Sequence, residues 1–563
     1  MDYYVRTSIG YKDVFQDYET VSPSDLIEDI PSVSSLKIIC HFAAQVHASD
    51  SFDKQIDCLK TWCRRLPKEV VPLVAKFIHK ATKAGGEFNF MNSIAACILV
   101  ETILENHNPL DDISDLSPKQ ELNLFKAYLW CNQYWTDKQT LDVNIDTPED
   151  LASVLITSQI PYYEVSESKD FISQTLKAVY FFKFCEEDDV FSGYLDLFLE
   201  EYGIERWQDY LDKVLGLYVT RTEPPVPSVI NIQNRSEIRD VVSQFCIDVN
   251  EFSRSDDFKS IREKPVYKLN ENSYLLLSIN LLIDKLFQGI QFELFRVLKA
   301  KQEEYNEKRI KSFDQFRSIY AEQISEKGIF YRALKDAFND NKYKSIDGQR
   351  LKKELVQGEP DFYIRDKGKI YLFEYKDVII NADVKYSFSF DTIKEEILKK
   401  MVSNEKSSPK GITQLFNSIV RIKKGDYSKV DNYKSLENCT VYPIIVFTDT
   451  AFNLPGINYL LNKEFSRLVE TSDLKDKHKV KGLTLIDINT FLMFQDLFRE
   501  KKLNLSTCLN EYSNYTGNEK KPLHRVDTFN SYIRSKTKGT LLEMPTRVSE
   551  ELKSIIANRA EKE

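Results

Sequence analysis

The residues best suited by type and spacing to chemistry lie in the segment GEPDFYIRDKGKIYLFEYKDVII, which begins at position 358. Two β-prone runs flank the turn-prone RDKGK, so the segment is predicted to form an antiparallel hairpin. Side chains alternate between the two faces of a strand, which places Glu374 and Lys376 on the same face. Asp361 follows Pro360, a residue tolerated at strand starts, and lies 13 positions before Glu374. The hairpin is therefore expected to bring two carboxylates and one amine together.

Such a cluster suits the hydrolysis of a phosphodiester bond. Carboxylate oxygens are hard ligands that hold Mg²⁺ or Mn²⁺ while leaving coordination positions open for water and a phosphate oxygen. We expect Asp361, Glu374 and the backbone carbonyl of Tyr375 to bind this cation. Lys376 is then expected to orient the attacking water and to stabilise the pentavalent phosphorus.

Each of these residues also has a purely structural interpretation. Glu374 and Lys376 could form a weak ion pair on an exposed sheet face, and Asp361 could be a turn or capping residue. However, the strand is expected to continue through the apolar residues 378–380, which is typical of a buried strand. Buried charges are costly unless they are paired or bound to metal, which favours the catalytic interpretation.

The hairpin resembles the PD-(D/E)xK phosphodiesterase superfamily, the group that includes restriction endonucleases. Pro360-Asp361 matches the PD element and Glu374-Tyr375-Lys376 matches the ExK element. The family's core order of helix, three strands, helix and strand is similar to the pattern over residues 320–450, with NKYKSIDGQRL as the candidate first strand. The resemblance covers about a third of the chain. It implies a restriction-endonuclease-like α/β domain with a central mixed sheet.

Members of this family often add an acidic residue from the first core helix and a glutamine from the helix after the ExK strand. The resemblance implies Glu326 for the acid, with Glu322 as the alternative, and Gln414 for the glutamine. Glu326 could instead cap the helix from Lys327 onward. Nearby, Lys410 is expected to be a solvated charge at the start of a helix, with contact to a phosphate as the alternative.

Strands and helices are expected to alternate around the hairpin. Helices are predicted near 326–338, through 395–424 and near 458–469, and strands at TVYPIIVFTD and GLTLIDI. Asp449, at the end of the first of these two strands, is expected to have a turn role. Such a pattern is typical of a mixed α/β domain in which helices cover a central sheet.

The preceding half has a different texture, with apolar residues at helical spacing from about 31 to 220. The best candidate for a linker is the Pro-rich segment EPPVPSVINIQNRS. A hairpin is predicted in KPVYKLNENSYLLLS, and a long charged helix is predicted in AKQEEYNEKRIKSFDQFRSIYAEQI. We therefore expect four segments: a helical regulatory or partner-binding region (1–222), a linker with a hairpin and connecting helices (223–310), the nuclease domain (311–505) and a C-terminal tail (506–563).

Composition and charge limit the classes of function. The chain has 563 residues, of which 42% are hydrophobic and 29% charged, a balance that excludes wholesale disorder. No apolar run reaches the roughly 18 residues of a membrane span, and the N-terminus lacks a secretory signal, so a cytoplasmic protein is expected. Residues 1–300 carry a net charge of −17 and residues 301–510 one of +6. The later region is therefore the expected polyanion contact.

The family resemblance implies that the substrate is double-stranded DNA rather than RNA. By analogy, a long acidic helical region joined to a nuclease is similar to bacterial anti-phage defence effectors, which implies a protein partner or a homo-oligomer through that region. Two alternatives stay open. The domain could bind nucleic acid or a protein without cleaving, or the helical region could be an adaptor that carries the main function.

Overall fold

The computed structural model describes residues 7–48, 51–83, 86–110, 115–139, 144–166, 169–220, 228–233, 238–301, 310–338, 343–354, 359–403, 409–537, 545–546, 549–550 and 553. The chain divides into two compact units. The first unit comprises Met1–Thr140, Glu164–Gln174 and Asp196–Val297, and the second comprises Leu141–Tyr163, Thr175–Leu195 and Leu298–Glu563. The boundaries predicted for the four segments remain predictions. Each of the two compact units is formed by parts of the chain that are separate in sequence.

The first unit is mostly helical, as the apolar periodicity predicted. Its helices are Tyr11–Asp13, Tyr18–Thr20, Pro23–Ile27, Ser32–Ala48, Phe52–Cys63, Val71–Lys83, Ser93–Glu105, Pro118–Gln139, Trp207–Thr220, Arg239–Gln244, Lys259–Glu263 and Ile279–Asp284. Four further helices contain the positions at which the chain passes from one unit to the other: Tyr163–Ser166, Phe171–Glu187, Phe191–Glu201 and Ile290–Ala300.

Two small sheets belong to the first unit. Strands β1 (Thr7–Ser8) and β2 (Phe88–Asn89) pair in parallel. Strands β3 (Val229–Asn231), β4 (Val266–Lys268) and β5 (Ser273–Leu276) form an antiparallel sheet in the order β3-β5-β4. The hairpin predicted in KPVYKLNENSYLLLS is confirmed as β4 and β5. The linker prediction is wrong for β3, because its backbone pairs with β5 rather than remaining unstructured; residues 221–227 and 234–237 of that region lie outside the described residues.

A mixed five-stranded sheet is the centre of the second unit. Its strands are β6 (Lys344–Asp347), β7 (Phe362–Asp366), β8 (Lys369–Lys376), β9 (Thr440–Phe447) and β10 (Thr484–Asp487), in the order β10-β9-β8-β7-β6. The pairs β6–β7 and β7–β8 are antiparallel, and the pairs β8–β9 and β9–β10 are parallel. The predicted hairpin, the two later strands and the candidate strand in NKYKSIDGQRL are confirmed.

The predicted extension of the ExK strand to residue 380 is wrong. Strand β8 ends at Lys376, because the next residue leaves the ladder for side-chain partners. Arg317 Nη2 donates to the backbone oxygen of Asp377 at 3.2 Å and to its Oδ1 at 2.8 Å. Thr448 Oγ1 donates to Asp377 Oδ1 at 2.8 Å.

Helices cover both faces of this sheet, which confirms a mixed helix-and-sheet unit with helices around a central sheet. They are Pro148–Gln159, Phe313–Ile319, Tyr320–Phe330, Tyr331–Ala337, Gly348–Glu354, Ala382–Lys385, Phe390–Met401, Gly411–Lys424, Asp426–Lys429, Leu436–Asn438, Thr450–Asn453, Ile457–Glu470, Lys477–Lys479, Ile488–Met493, Gln495–Arg499, Leu505–Thr516, Pro522–Val526 and Phe529–Thr537.

The two faces differ in composition. On one face, aliphatic residues of β8 and β9 pack against the helices Gly411–Lys424 and Ile457–Glu470, and the helix Pro148–Gln159 contributes to the same core. On the other face aromatic rings dominate, for example Phe373 against Phe491 with centroids 5.9 Å apart. Charged side chains between these layers lie in a low-dielectric environment.

The long helix predicted over residues 300–324 is wrong in its middle. Residues 310–312 are not helical, and Ser312 caps a new helix by accepting from the backbone N–H of Gln315 at 3.3 Å; residues 302–309 lie outside the described residues. The following helix Tyr320–Phe330 has wide π-type turns, in which hydrogen bonds span five residues rather than four. Among the described residues, no helix combines the length and apolar character needed to cross a bilayer.

Candidate active site

The hairpin register places Asp361 opposite Glu374. Phe362 pairs with Phe373, so the next pair outward joins Asp361 and Glu374. The backbone N–H of Tyr375 donates to Asp361 Oδ2 at 2.7 Å, which holds this carboxylate against the end of β8. The predicted convergence of the two carboxylates on one hairpin end is confirmed.

Lys376 lies between a carboxylate and an amide. Its Nζ donates to Glu374 Oε1 at 2.8 Å and to Gln414 Oε1 at 3.3 Å. The Glu374 side chain is 1% exposed and that of Lys376 13% exposed, so the exposed-ion-pair interpretation is wrong. The approach of Lys376 to the helix Gly411–Lys424 depends on a glycine, since a Cβ on Gly411 would lie 3.2 Å from Lys376 Cε and 2.9 Å from the Met401 carbonyl oxygen.

The helix acid that reaches the cluster is Glu326. It lies within the wide-turn helix Tyr320–Phe330, well inside its ends, so the suggested capping role is wrong. Glu326 interacts electrostatically with Asp361 and Lys376, and its Oε1 accepts a hydrogen bond from the Tyr331 hydroxyl. The alternative, Glu322, is exposed.

Three carboxylates and one lysine leave an excess of negative charge in a buried place. Burial, and then the charge of Asp361, raise the pKa of Glu374 to about 8 and that of Glu326 to about 7. Burial also raises the pKa of Asp361, against the opposing effect of Lys376. Burial alone would lower the pKa of Lys376, but the charges of Glu374 and Asp361 outweigh it and raise that pKa. The lysine therefore stays protonated while the acids compete for a positive charge.

One oxygen of the cluster is left without any partner. Among the residues that the structure describes, none donates a hydrogen bond to the buried Glu374 Oε2, whereas a buried carboxylate oxygen normally accepts one. Within the described residues, no three His, Cys, Asp or Glu side chains are gathered closely enough to form a ready-made metal site. The cluster thus has the charge and the open oxygen that a cation would satisfy, but not a closed ligand set.

Tyr375, whose backbone carbonyl is the predicted further ligand, directs its side chain to the opposite face of the sheet. Its hydroxyl and that of Ser325 are 2.6 Å apart, and its ring stacks on Phe330 with centroids 4.6 Å apart. These contacts fix the wide-turn helix to the end of β8. The metal-ligand role of the carbonyl stays a prediction.

Two further predicted roles lie near the cluster. Asp449 accepts from the backbone N–H of Ala451 at 2.9 Å, which confirms its turn role after β9. Lys410 precedes the helix Gly411–Lys424 and is half-buried, without capping that helix through its side chain.

The sequence did not identify several residues that support the site. Arg317 forms an ion pair with Asp377 at 2.8 Å and holds the pKa of that carboxyl below its usual value despite burial. Tyr331 and Gly348 contact the cluster from two other elements. Arg317 is 60 positions from its partner, and no pattern links such distant residues. For Tyr331, the one available signal was its position five residues after Glu326, which is not an α-helical spacing.

Comparison with known proteins gives this chain no relative: no protein-family model, no curated protein and no solved structure matches it.

Proposed function

We propose that the protein is a nuclease that hydrolyses phosphodiester bonds with the help of Mg²⁺ or Mn²⁺. The observation that carries this proposal is the convergence of Glu326, Asp361, Glu374 and Lys376 at the end of β8, together with the unpartnered buried oxygen of Glu374. A cluster with more acids than bases in a buried place is costly in folding free energy, and it is typical of a site that binds a cation.

The residues fit a divalent cation in charge and in donor chemistry. Asp361 and Glu374 would hold it, with the Tyr375 carbonyl as a further ligand and Glu326 adding negative charge. When bound, such a cation neutralises charge that develops on the phosphate and lowers the pKa of bound water. Within the described residues the carboxylates are not gathered into a ready-made metal site, so binding has to be measured directly.

The chain's own residues supply the other parts of the proposed mechanism. Lys376 carries its positive charge on Nζ, which is held by Glu374 and Gln414 and so points along one direction. In this position it donates a hydrogen bond to the attacking water or to a phosphate oxygen and stabilises the negative charge of the transition state. Gln414 has a positioning role through Lys376.

The finer parts of the proposal extend the family resemblance. We propose a restriction-endonuclease-like arrangement for the five-stranded sheet, with double-stranded DNA as substrate, and a regulatory or partner-binding role for the helical region. The anti-phage role is proposed on analogy alone. The antiparallel β6–β7–β8 meander followed by a parallel β9 supports the first of these points.

A cleavage assay tests the proposal. The full chain is incubated with duplex DNA, single-stranded DNA and RNA, with Mg²⁺, Mn²⁺ or EDTA, alongside Lys376→Ala. We expect cleavage of duplex DNA that requires the cation and falls at least a hundredfold in the variant, the size of effect seen when a transition-state donor is removed.

Three outcomes would contradict the proposal. Cleavage that persists in EDTA or in Lys376→Ala would exclude the mechanism. Binding of DNA without cleavage under every cation condition would favour the non-cleaving module. A stable complex formed by the helical region with a partner, unaffected by the site variant and accompanied by no cleavage, would favour the adaptor.

A further inference from the structure

The wide-turn helix Tyr320–Phe330 places Tyr331 beside Glu326, so that the two residues are joined by a backbone hydrogen bond and a side-chain hydrogen bond. The backbone N–H of Tyr331 donates to the backbone oxygen of Glu326, a hydrogen bond that spans five residues. The Tyr331 hydroxyl donates to Glu326 Oε1 of the same pair. In an α-helix, residues five apart point in different directions, whereas π-type turns stack them. The irregular helix is therefore what makes the side-chain hydrogen bond possible.

A glycine on another element lets the tyrosine hydroxyl reach this place. A Cβ on Gly348 would lie 2.9 Å from the Tyr331 hydroxyl oxygen and 3.0 Å from the backbone oxygen of Asp361. The backbone N–H of Gly348 donates to that same Asp361 oxygen at 2.7 Å. Gly348 thus lies between the tyrosine and the start of β7, and any larger residue would push them apart.

The tyrosine ring is itself held in place. It packs against Phe362, the first residue of β7, with centroids 5.8 Å apart, and against Phe330 with centroids 5.7 Å apart. A ring fixed on two sides presents its hydroxyl in one direction, which is what a support for a ligand side chain needs.

We propose that Tyr331 is a positioning residue that holds the Glu326 carboxylate toward Asp361 for cation binding, and that Gly348 is required for this contact. The inference rests on the proposed function, because it assigns a role within the same site. A hydroxyl that binds one carboxylate oxygen leaves the other oxygen available for a cation. Removal of such supporting hydrogen bonds typically weakens metal binding by 10- to 100-fold.

The test is Mn²⁺ binding to the full chain, measured by calorimetry and by electron paramagnetic resonance, without substrate. Tyr331→Phe keeps the ring and its packing but removes the hydroxyl, and we expect its Mn²⁺ dissociation constant to rise about tenfold or more. Gly348→Ala keeps the hydroxyl but displaces it, and we expect a weakening in the same direction. Thermal unfolding of each variant shows whether it is folded.

Tyr180→Phe is the matched control. The Tyr180 hydroxyl also donates to a carboxylate, that of Asp336. Asp336 lies five residues after Tyr331 on the α-helix Tyr331–Ala337, so the two side chains point in different directions. We expect this variant to bind Mn²⁺ as the wild type does, even if it melts at a lower temperature. Equal weakening in Tyr180→Phe would mean that the effect comes from the helix as a whole and would overturn the positioning role.

The outcomes for the inference and for the proposed function differ. If the wild type binds Mn²⁺ and Tyr331→Phe binds it equally well, the inference fails and the proposed function stands. If the wild type binds Mn²⁺ but cleaves no nucleic acid, the proposed function fails while the role of Tyr331 in binding is still decided by the variant. If the wild type binds no Mn²⁺, both fail.

Discussion

Replacing Lys376 with methionine tests whether the cluster at the end of β8 is held together by charge. Methionine keeps most of the aliphatic volume beside Gly411, but it removes the hydrogen bonds to Glu374 Oε1 at 2.8 Å and to Gln414 at 3.3 Å. Removing one partner of a buried ion pair costs about 3–5 kcal/mol. Because the pKa of Glu374 is already raised to about 8, this carboxyl can take up a proton near neutral pH. We therefore expect a loss of only about 2–3 kcal/mol.

This loss is measurable by calorimetry on the full chain. The second unit comprises about 310 residues, so a loss of about 2–3 kcal/mol corresponds to a fall of roughly 3–5 °C in its melting temperature. Mn²⁺ supplies the positive charge that the variant lacks, so we expect it to raise the melting temperature of Lys376→Met more than that of the wild type. The cleavage rate should nevertheless stay at least a hundredfold below the wild-type rate at saturating Mn²⁺.

Lys400→Met provides the control, since it also removes a lysine from an ion pair, with Glu396 at 3.0 Å, but a more exposed one. We expect a change of less than about 1 kcal/mol and normal cleavage there. A Lys376→Met protein that melts and cleaves like the wild type would refute the reasoning, because the positive charge of Lys376 would then contribute neither to stability nor to cleavage.

Two further predictions concern other buried positions. Burial raises the pKa of Glu101 from 4.5 to about 8, so the folded state favours the protonated acid. The contribution of this group to stability is fully present below pH 4.5 and is lost as the pH rises to about 8. Glu101→Gln should therefore stabilise the protein by on the order of 4 kcal/mol at pH 9 and by little at pH 4.5, as measured by urea unfolding. An equal stabilisation at the two pH values would contradict the raised pKa of Glu101. A Cβ on Gly328 would lie 2.9 Å from Phe184 Cγ, so Gly328→Ala should lower the free energy of unfolding by about 1–3 kcal/mol. The substitution should also displace Glu326 on the same helix and so weaken Mn²⁺ binding, as measured by titration. Unchanged melting and binding would show that Phe184 moves aside freely.

The hairpin and its register could be predicted because the information is local. Alternating side chains and a short turn-prone RDKGK fix which residues face each other, and the pairing of Phe362 with Phe373 then brings Asp361 opposite Glu374. The strands β9 and β10 were predicted for a similar reason, since short apolar runs of β-prone residues are typical of buried strands.

The partners of the helices could not be predicted. The periodicity of Pro148–Gln159 indicated an apolar face, but it did not indicate that Leu151, Ala152 and Ile156 would join the core of the second unit. An amphipathic pattern shows that a face is buried and not what covers it. The same limit applies to Arg317, whose ion pair with Asp377 ends β8 four residues earlier than the apolar sequence suggested.

The wide turns of the helix Tyr320–Phe330 could not be predicted from the sequence for a different reason. Its sequence, YAEQISEKGIF, fits an ordinary helix, and the π-type turns arise from tertiary contacts. Ser325 is held by the Tyr375 hydroxyl and Gly328 by Phe184, while Tyr331 is held beside Gly348. Each contact joins residues distant in sequence, so the local preference for four-residue hydrogen bonds gives way.

The cost of the cluster is the strongest argument that it has a function. Apolar side chains in place of both Glu374 and Lys376 would pack within the sheet without a desolvation penalty, and replacing a whole buried ion pair by apolar residues is often stabilising. The ion pair with Lys376 accounts for only one oxygen of Glu374, because among the described residues the other oxygen is buried without a hydrogen-bond partner, and the pKa of this carboxyl is raised to about 8. Each of the three acids is nevertheless held by a neighbour: Glu326 by the Tyr331 hydroxyl, Asp361 by the Tyr375 backbone N–H and Glu374 by Lys376. A buried acidic cluster that is held in place from three sides despite its desolvation cost supports the proposal that these acids bind a divalent cation.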